Sequence, residues 1–227
     1  MNTRSFIHNS TKILDKFTKD YLWGSQENIC FFSEVKIIKK GKKPEPIFLI
    51  ITYGSIYFAV STHNIIQEVL GEISVIDVYK ISYLTPQIIT IYVKSEKIKD
   101  LAISIQSANA IDIAKLIYHI HDIIFFNDAN SSPKLIIDSP ESQSITEASL
   151  ENRPKNALQI RFLQLAHKNK ERFSIDQLRF LSAWDKNPET SLILPHQADF
   201  DAAIMSLATA LTWDSDLRAL TLDKFSP

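Results

Sequence analysis

The chain has 227 residues, 45% apolar and 22% charged, enough for one large or two small globular domains. Its formal net charge of -1 gives no global field to draw in nucleic acid or membrane, so any such attraction must be local. Four glycines argue against a glycine-rich phosphate cradle, and the lone cysteine, Cys30, excludes intrachain disulfides and cysteine-based zinc sites.

Met1 to Ser10 is polar and no apolar h-region follows, so no secretory signal is read. The longest apolar run, around Ile47 to Ile51, is far too short to span a bilayer, and an intracellular, cytoplasmic chain is expected. Ser10 is an N-cap candidate for a short helix with Ile13, Leu14, Phe17 and Tyr21 at helical spacing, ending near Trp23-Gly24. That helix should pack on the strands that follow.

The first strand is read over Ile29 to Lys39, and Lys40 to Pro46 has the Gly and Pro content of a turn. Ile47 to Thr52 is almost wholly apolar, as if buried on both faces. Ile56, Phe58 and Val60 alternate with Tyr57, Ala59 and Ser61 after a turn at Tyr53 to Ser55. Thr62 to Glu68 reads as a loose connection, and Val69 to Tyr83 as two strands with a bend at Gly71. Ile88 to Lys94 and Leu101 to Gln106 complete about seven strands. The period then changes: Ile113, Leu116, Ile117, Ile120 and Ile124 form a helical stripe, with Asp112, Lys115, His119 and Asp122 opposite.

Residues 128–156 are rich in Pro, Ser, Asn and Glu and read as a polar linker. Ser139-Pro140 within it fits a proline-directed phosphorylation site or an unmodified polar linker. Residues 157–227 read as a second, mostly helical unit. Leu158, Phe162, Leu165 and Ala166 make one stripe, and Ser174 to Gln177 a capping box. A short strand at Leu192 to Leu194 leads to a helix with Ile204, Leu207, Ala208 and Leu211. The chain closes on Leu217-x-x-Leu220-x-Leu222. Leu192 and Leu220 lie 28 residues apart, as do Leu194 and Leu222, the period of a long leucine-rich repeat. One repeat cannot bury its own face. The chain is therefore expected to continue in a longer protein or to be covered there by a partner.

Catalytic patterns are missing. His119 and His121 stand two apart on a helix and point to different faces, while His63, His167 and His196 fit no ligand or triad spacing. There is no nucleophile elbow, P-loop or dinucleotide fingerprint. Cys30, among Ile29, Phe31 and Phe32, reads as a core or edge thiol. No enzyme, cofactor, metal, nucleic acid or small-molecule substrate is expected. The chemistry-bearing cluster is basic: Lys36, Lys39, Lys40, Lys42 and Lys43 fall within eight residues on the first strand and its turn. They fit anionic lipid, or they solvate an edge strand and block aggregation.

Seven strands closed by a helix have the order of a pleckstrin-homology-like barrel. The lysine-rich first strand Lys36 to Lys40, the closing helix, and Thr190 to Leu194 leading into Asp199 to Trp213 resemble the N-terminal region of the CARMIL family. The resemblance implies an α+β chain: a seven-stranded pleckstrin-homology-like β-barrel with N-terminal helix over 1–127, then a linker, then the cap and first repeat of a leucine-rich-repeat solenoid. It also implies a scaffold of the actin cytoskeleton placed peripherally at the plasma membrane, with weak anionic-lipid binding through the five lysines and cytoskeletal protein partners. The alternative is a protein-interaction module that binds no lipid. The second strand, Ile47 to Ile51, lacks the basic residue that inositol-phosphate specificity wants, so lipid selectivity should be slight.

Overall fold

A computed structural model describes residues 11–21, 29–62, 65–95, 99–125, 135–151, 157–169, 171, 173, 175–186, 191–194, 204–212 and 219–222. The expected caps at Ser10, Trp23-Gly24 and Ser174, and the expected Asp199, Trp213 and Leu217, lie outside them. The fold is α+β and divides into two compact units. The first comprises Met1–Asp122 and Pro133–Asn152, the second Ile123–Ser132 and Arg153–Pro227.

In the first unit, helix α1 (Thr11–Tyr21) precedes strands β1 (Ile29–Ile38), β2 (Glu45–Thr52), β3 (Ser55–Thr62) and β4 (Ile65–Ser74). A single 3-10 turn at Val75–Asp77 leads to β5 (Val78–Thr85), β6 (Ile88–Val93), β7 (Leu101–Gln106) and helix α2 (Ala110–Phe125), whose residues from Ile123 on belong to the second unit. Strand β8 (Ile136–Asp138) and helix α3 (Ser142–Glu151) follow. The hydrogen-bonded order is β4-β3-β2-β1-β7-β6-β5-β8, all neighbours antiparallel except β5 and β8.

Three expectations are corrected. The sheet of the first unit has eight strands rather than seven, and their pairing runs from β4 to β8 without closing into a barrel. The corner between β4 and β5 falls at Val75–Asp77, not at Gly71, because Val75 is fully buried and its N–H donates to the Gly54 carbonyl at 3.2 Å. Gly71 instead flanks a bulge: Phe58 faces Gly71 and Ala59 faces Val69, which leaves Leu70 unpaired and 54% exposed. The supposed linker contains β8 and α3, which return to the first unit.

The sheet is buried unequally. On one face Leu49, Ile51, Ile56, Ile81, Ile89, Ile91, Ile105 and the α2 residues Ile113, Ile117 and Ile120 are all wholly buried. The other face carries an apolar cluster over β1 to β4, where Leu14 and Phe17 of α1 join Phe32, Ile50, Tyr57 and Ile66. Phe17 meets the Tyr57 ring edge-on at 5.1 Å. Helix α1 therefore packs on the sheet, as the sequence implied. Over β5 to β7 that face is polar: the Thr90 and Ser104 hydroxyls hydrogen-bond at 2.9 Å, and Lys80 lies 5.3 Å from the Tyr92 ring centre.

In the second unit, α4 (Leu158–Asn169), α5 (Ile175–Lys186) and α6 (Ile204–Thr212) bury Leu158, Phe162, Leu165, Ala166, Leu178, Leu181, Trp184, Leu207 and Leu211 together. Ala208 is exposed, and Ala210 takes its expected place in the core. Ala157 cannot cap α4, so the Asp185 carboxylate does, accepting from Leu158 N–H at 3.0 Å and Gln159 N–H at 2.9 Å. Glu171 likewise accepts from Ser206 N–H of α6 at 3.2 Å. The wholly buried Arg161 donates through Nε to the Ile124 carbonyl at 2.9 Å, at the last turn of α2. Strands β9 (Ser191–Leu194) and β10 (Ala219–Leu222) pair in parallel.

Two outcomes follow from the α2 packing. Ile117→Asp places a charge in a wholly buried position and should cost several kcal/mol, read as a lower urea midpoint. His121 is buried, and burial pushes its pKa down to about 4, opposed in part by the Asp122 charge. The folded chain thus prefers neutral imidazole. The resulting stability is whole above about pH 6.5 and is lost as pH falls through about 4, a drop of about 3 kcal/mol. His121→Gln should flatten that part of the urea-midpoint profile, and an unchanged profile would contradict the assignment.

Candidate functional site

The five lysines occupy the β1–β2 hairpin. The turn between the strands is built on Lys39 to Lys42, with Lys42 N–H donating to the Lys39 carbonyl at 3.1 Å. Gly41 holds φ +73 at its third position, a conformation that costs a side-chain-bearing residue about 1–2 kcal/mol. No atom lies within 4 Å of where a Gly41 Cβ would stand, so the constraint there is the backbone alone. Every residue from Lys39 to Pro46 is exposed.

The cations are not equivalent. Lys39 Nζ meets Glu45 Oε2 at 2.5 Å across the base of the turn. The hydrogen bond and charge of Lys39, with a smaller contribution from Lys42, hold the Glu45 carboxyl below its ordinary range. The pair is about half exposed, so it contributes little to stability but ties up the Lys39 charge. Lys36 lies on β1 itself, opposite Pro46 of β2 and Gln106 of β7, on the same face as Glu34 and Phe32. Lys40, Lys42 and Lys43 stand in the tip, exposed, and none makes an ion pair with another described residue.

The register brings in two lysines the sequence reading did not single out. Ile38 pairs with Ser104, and β7 runs antiparallel to β1, so the hairpin tip extends past Ile103 toward Leu101. Lys94 and Lys99, in the connection between β6 and β7, therefore lie at the same end of the sheet as the tip, and both are exposed. Asp100 is exposed in the same connection, and Leu101 at its edge is 39% exposed. No sequence pattern could have joined these residues to the hairpin, because the β1–β7 pairing is not local. The second strand offers no cation there: Phe48 stacks on Phe32 with ring centres 5.1 Å apart.

Burial raises the Cys30 thiol to about 12, with a Tyr53 hydrogen bond acting weakly the other way. It is a protonated packing group, not a nucleophile. Among the described residues no three His, Cys, Asp or Glu side chains gather as a metal site, and no helix is long and apolar enough to cross a membrane. His63 and His196 lie outside the described residues.

No family model and no curated protein matches this chain. Among solved structures, the hSac2 domain from the human phosphoinositide phosphatase Sac2 is similar at a TM-score of 0.38 and 9% identity, over 57% of this chain and 90% of that domain. At that level the likeness decides nothing about chemistry.

The turn carries its own test. Gly41→Ala should lower stability by about 1 kcal/mol through the backbone alone, since no neighbour is struck. A thermal melt in which Gly41→Ala matches the wild type would mean that the turn adopts another conformation in solution.

Proposed function

We propose that the chain is a non-enzymatic scaffold of the CARMIL type, a pleckstrin-homology-type domain joined to the cap and first repeat of a leucine-rich-repeat solenoid. Its β1–β2 hairpin attracts anionic lipid weakly, peripherally and without selectivity. The observation that carries the lipid reading is the exposed tip of Lys40, Lys42 and Lys43, held outward by Gly41 and joined at the same end by Lys94 and Lys99. The strand order β4-β3-β2-β1-β7-β6-β5 with α2 after β7 supports the domain reading. The parallel pair that sets Leu220 opposite Leu192 and Leu222 opposite Leu194, with α6 between the strands in sequence, supports the repeat.

Magnitude decides for weak binding. A lysine near an anionic leaflet contributes about 1 kcal/mol. Lys36, Lys40, Lys42 and Lys43 together then give about 4 kcal/mol, which corresponds to a millimolar dissociation constant. Engagement of Lys39 by Glu45 and the absence of a basic residue in β2 remove the geometry for gripping one inositol phosphate isomer. Such an affinity suits a domain that acts with other contacts of a scaffold. The second reading, a protein-interaction module indifferent to lipid, has the same hairpin serving only as a solvated turn.

Sedimentation with phosphatidylserine vesicles separates them. Binding should exceed that to neutral phosphatidylcholine, vanish near 1 M salt where the screening length is about 3 Å, and vanish in the Lys40→Glu, Lys42→Glu, Lys43→Glu triple variant. Phosphoinositide isomers should compete alike. Equal partition of wild type and variant would establish the second reading, and tight, isomer-specific binding would contradict both.

A further inference from the structure

Strand β5 ends the antiparallel part of the sheet, so its outer edge would present a row of unpaired N–H and C=O groups. That edge is covered. Ile136–Asp138 lies along it in parallel, with Ile136 opposite Lys80, Ile137 opposite Ile81 and Asp138 opposite Ser82. The covering strand comes from the stretch whose composition is that of a linker, and α3 follows it directly.

The segment is held by few points. Leu135, before the strand, is 8% exposed, and Ile145, in α3, is wholly buried. Lys80 Nζ meets Asp138 Oδ2 at 2.8 Å. The turn into α3 is closed by its own bonds, Glu141 N–H to Ser139 Oγ at 3.0 Å and Ser142 N–H to the Ser139 carbonyl at 3.2 Å. Several positions between these points face outward: Ile136 is 55% exposed, and Asp138, Glu141, Gln143, Ser144 and Glu147 are exposed, while Ile137, Ser139, Ser142 and Thr146 are half-buried. Strand β6 of the same sheet buries Ile89, Ile91 and Val93 completely. The contrast is that between a strand of a core and a peptide added to an edge, where main-chain bonds hold and a few side chains anchor.

We propose that the outer edge of β5 is a peptide-binding edge and that residues 135–151 occupy it in cis as a releasable plug. The partner that fits is an extended segment with the plug's chemistry: an apolar residue ahead of the strand, a carboxylate three residues on to meet Lys80, and a second apolar anchor on a following helical turn. The Lys80 ammonium is steadied from the protein side by the Tyr92 ring, 5.3 Å from its centre, so the cation stays placed when the plug leaves. Burial raises the Tyr83 phenol, and the charges of Glu141 and Asp112 add to it, which puts the plug's turn and the start of α2 near the same hydroxyl. This inference does not rest on the lipid reading, which concerns other residues.

The full chain and a fluorescent peptide of residues 133–151 provide the test. Leu135→Asp with Ile145→Asp removes both anchors of the plug. That variant should bind the peptide at least tenfold more tightly than the wild type, whose own plug competes at high effective concentration. A peptide carrying the same two changes should not bind. In hydrogen exchange, the β5 amides that face β8 should lose protection in the variant and regain it with peptide, while those of β1 and β6 stay protected. A second pair of variants removes no buried side chain. Successive N–H groups of a strand point to opposite sides, so either Ile136→Pro or Ile137→Pro strikes a group facing β5. One of the two should open the edge to the peptide and the other should not. The proposal is overturned if wild type and Asp variant bind alike, or if the variant keeps β1 and β6 protected yet ignores the peptide. If the Asp variant loses protection throughout, the proline pair decides: peptide uptake by one of them supports the plug, and uptake by neither overturns it.

Discussion

The sheet depends on a short join. Strand β1 pairs with β2 from Ile29 to Ile37, but with β7 only over Lys36 to Ile38. Those three residues connect the β2–β4 half of the sheet to the β5–β7 half. The first pairing is a hairpin and closes cheaply; the second brings together residues nearly seventy positions apart and must be repaid by burial. Ile105, opposite Ile37, is wholly buried and supplies part of that return. The join also aims the candidate site. Beyond Ile38 the hairpin leaves the sheet along the line the join sets, so its lysines point where β6 and β7 turn.

Much of this could be read from the residues alone. Alternation found β6 because only one of its faces is buried: Ile89, Ile91 and Val93 are hidden while Ile88, Thr90 and Tyr92 are half-buried. The unbroken run in β2 reported burial on both faces, and α1 supplies the cover for the second. The bend at Gly71 misled because a glycine can mark either a corner or a bulge, and the buried Val75 fixed the corner elsewhere. Strand β8 was illegible for a different reason. Three residues with one half-buried side chain carry no period, and their pairing with β5 lies far away in sequence.

The candidate site was legible by composition but not by charge balance. A count of lysines from 36 to 43 treats them as equal, whereas the register sets Glu45 beside Ile37 and within reach of Lys39. A cation already bonded to a carboxylate brings almost no net field to a membrane. The register restores positive charge from Lys94 and Lys99, which the linear sequence keeps about fifty residues away. The net effect is a diffuse set of cations without a fixed cradle.

In the second unit, helix starts are served by carboxylates distant in sequence. Asp185 of α5 caps α4, and Glu171, just after α4, caps α6. At α4 the first N–H groups, which need acceptors when they are buried, are served from a distance rather than by the residue before the helix, Ala157, and at α6 the Ser206 N–H is also served from a distance. That is why the sequence displayed the apolar stripe of α4 but no sign of where it begins. It also means that the start of α4 is specified by a residue of α5, so the two helices cannot part without leaving two N–H groups short of their acceptor.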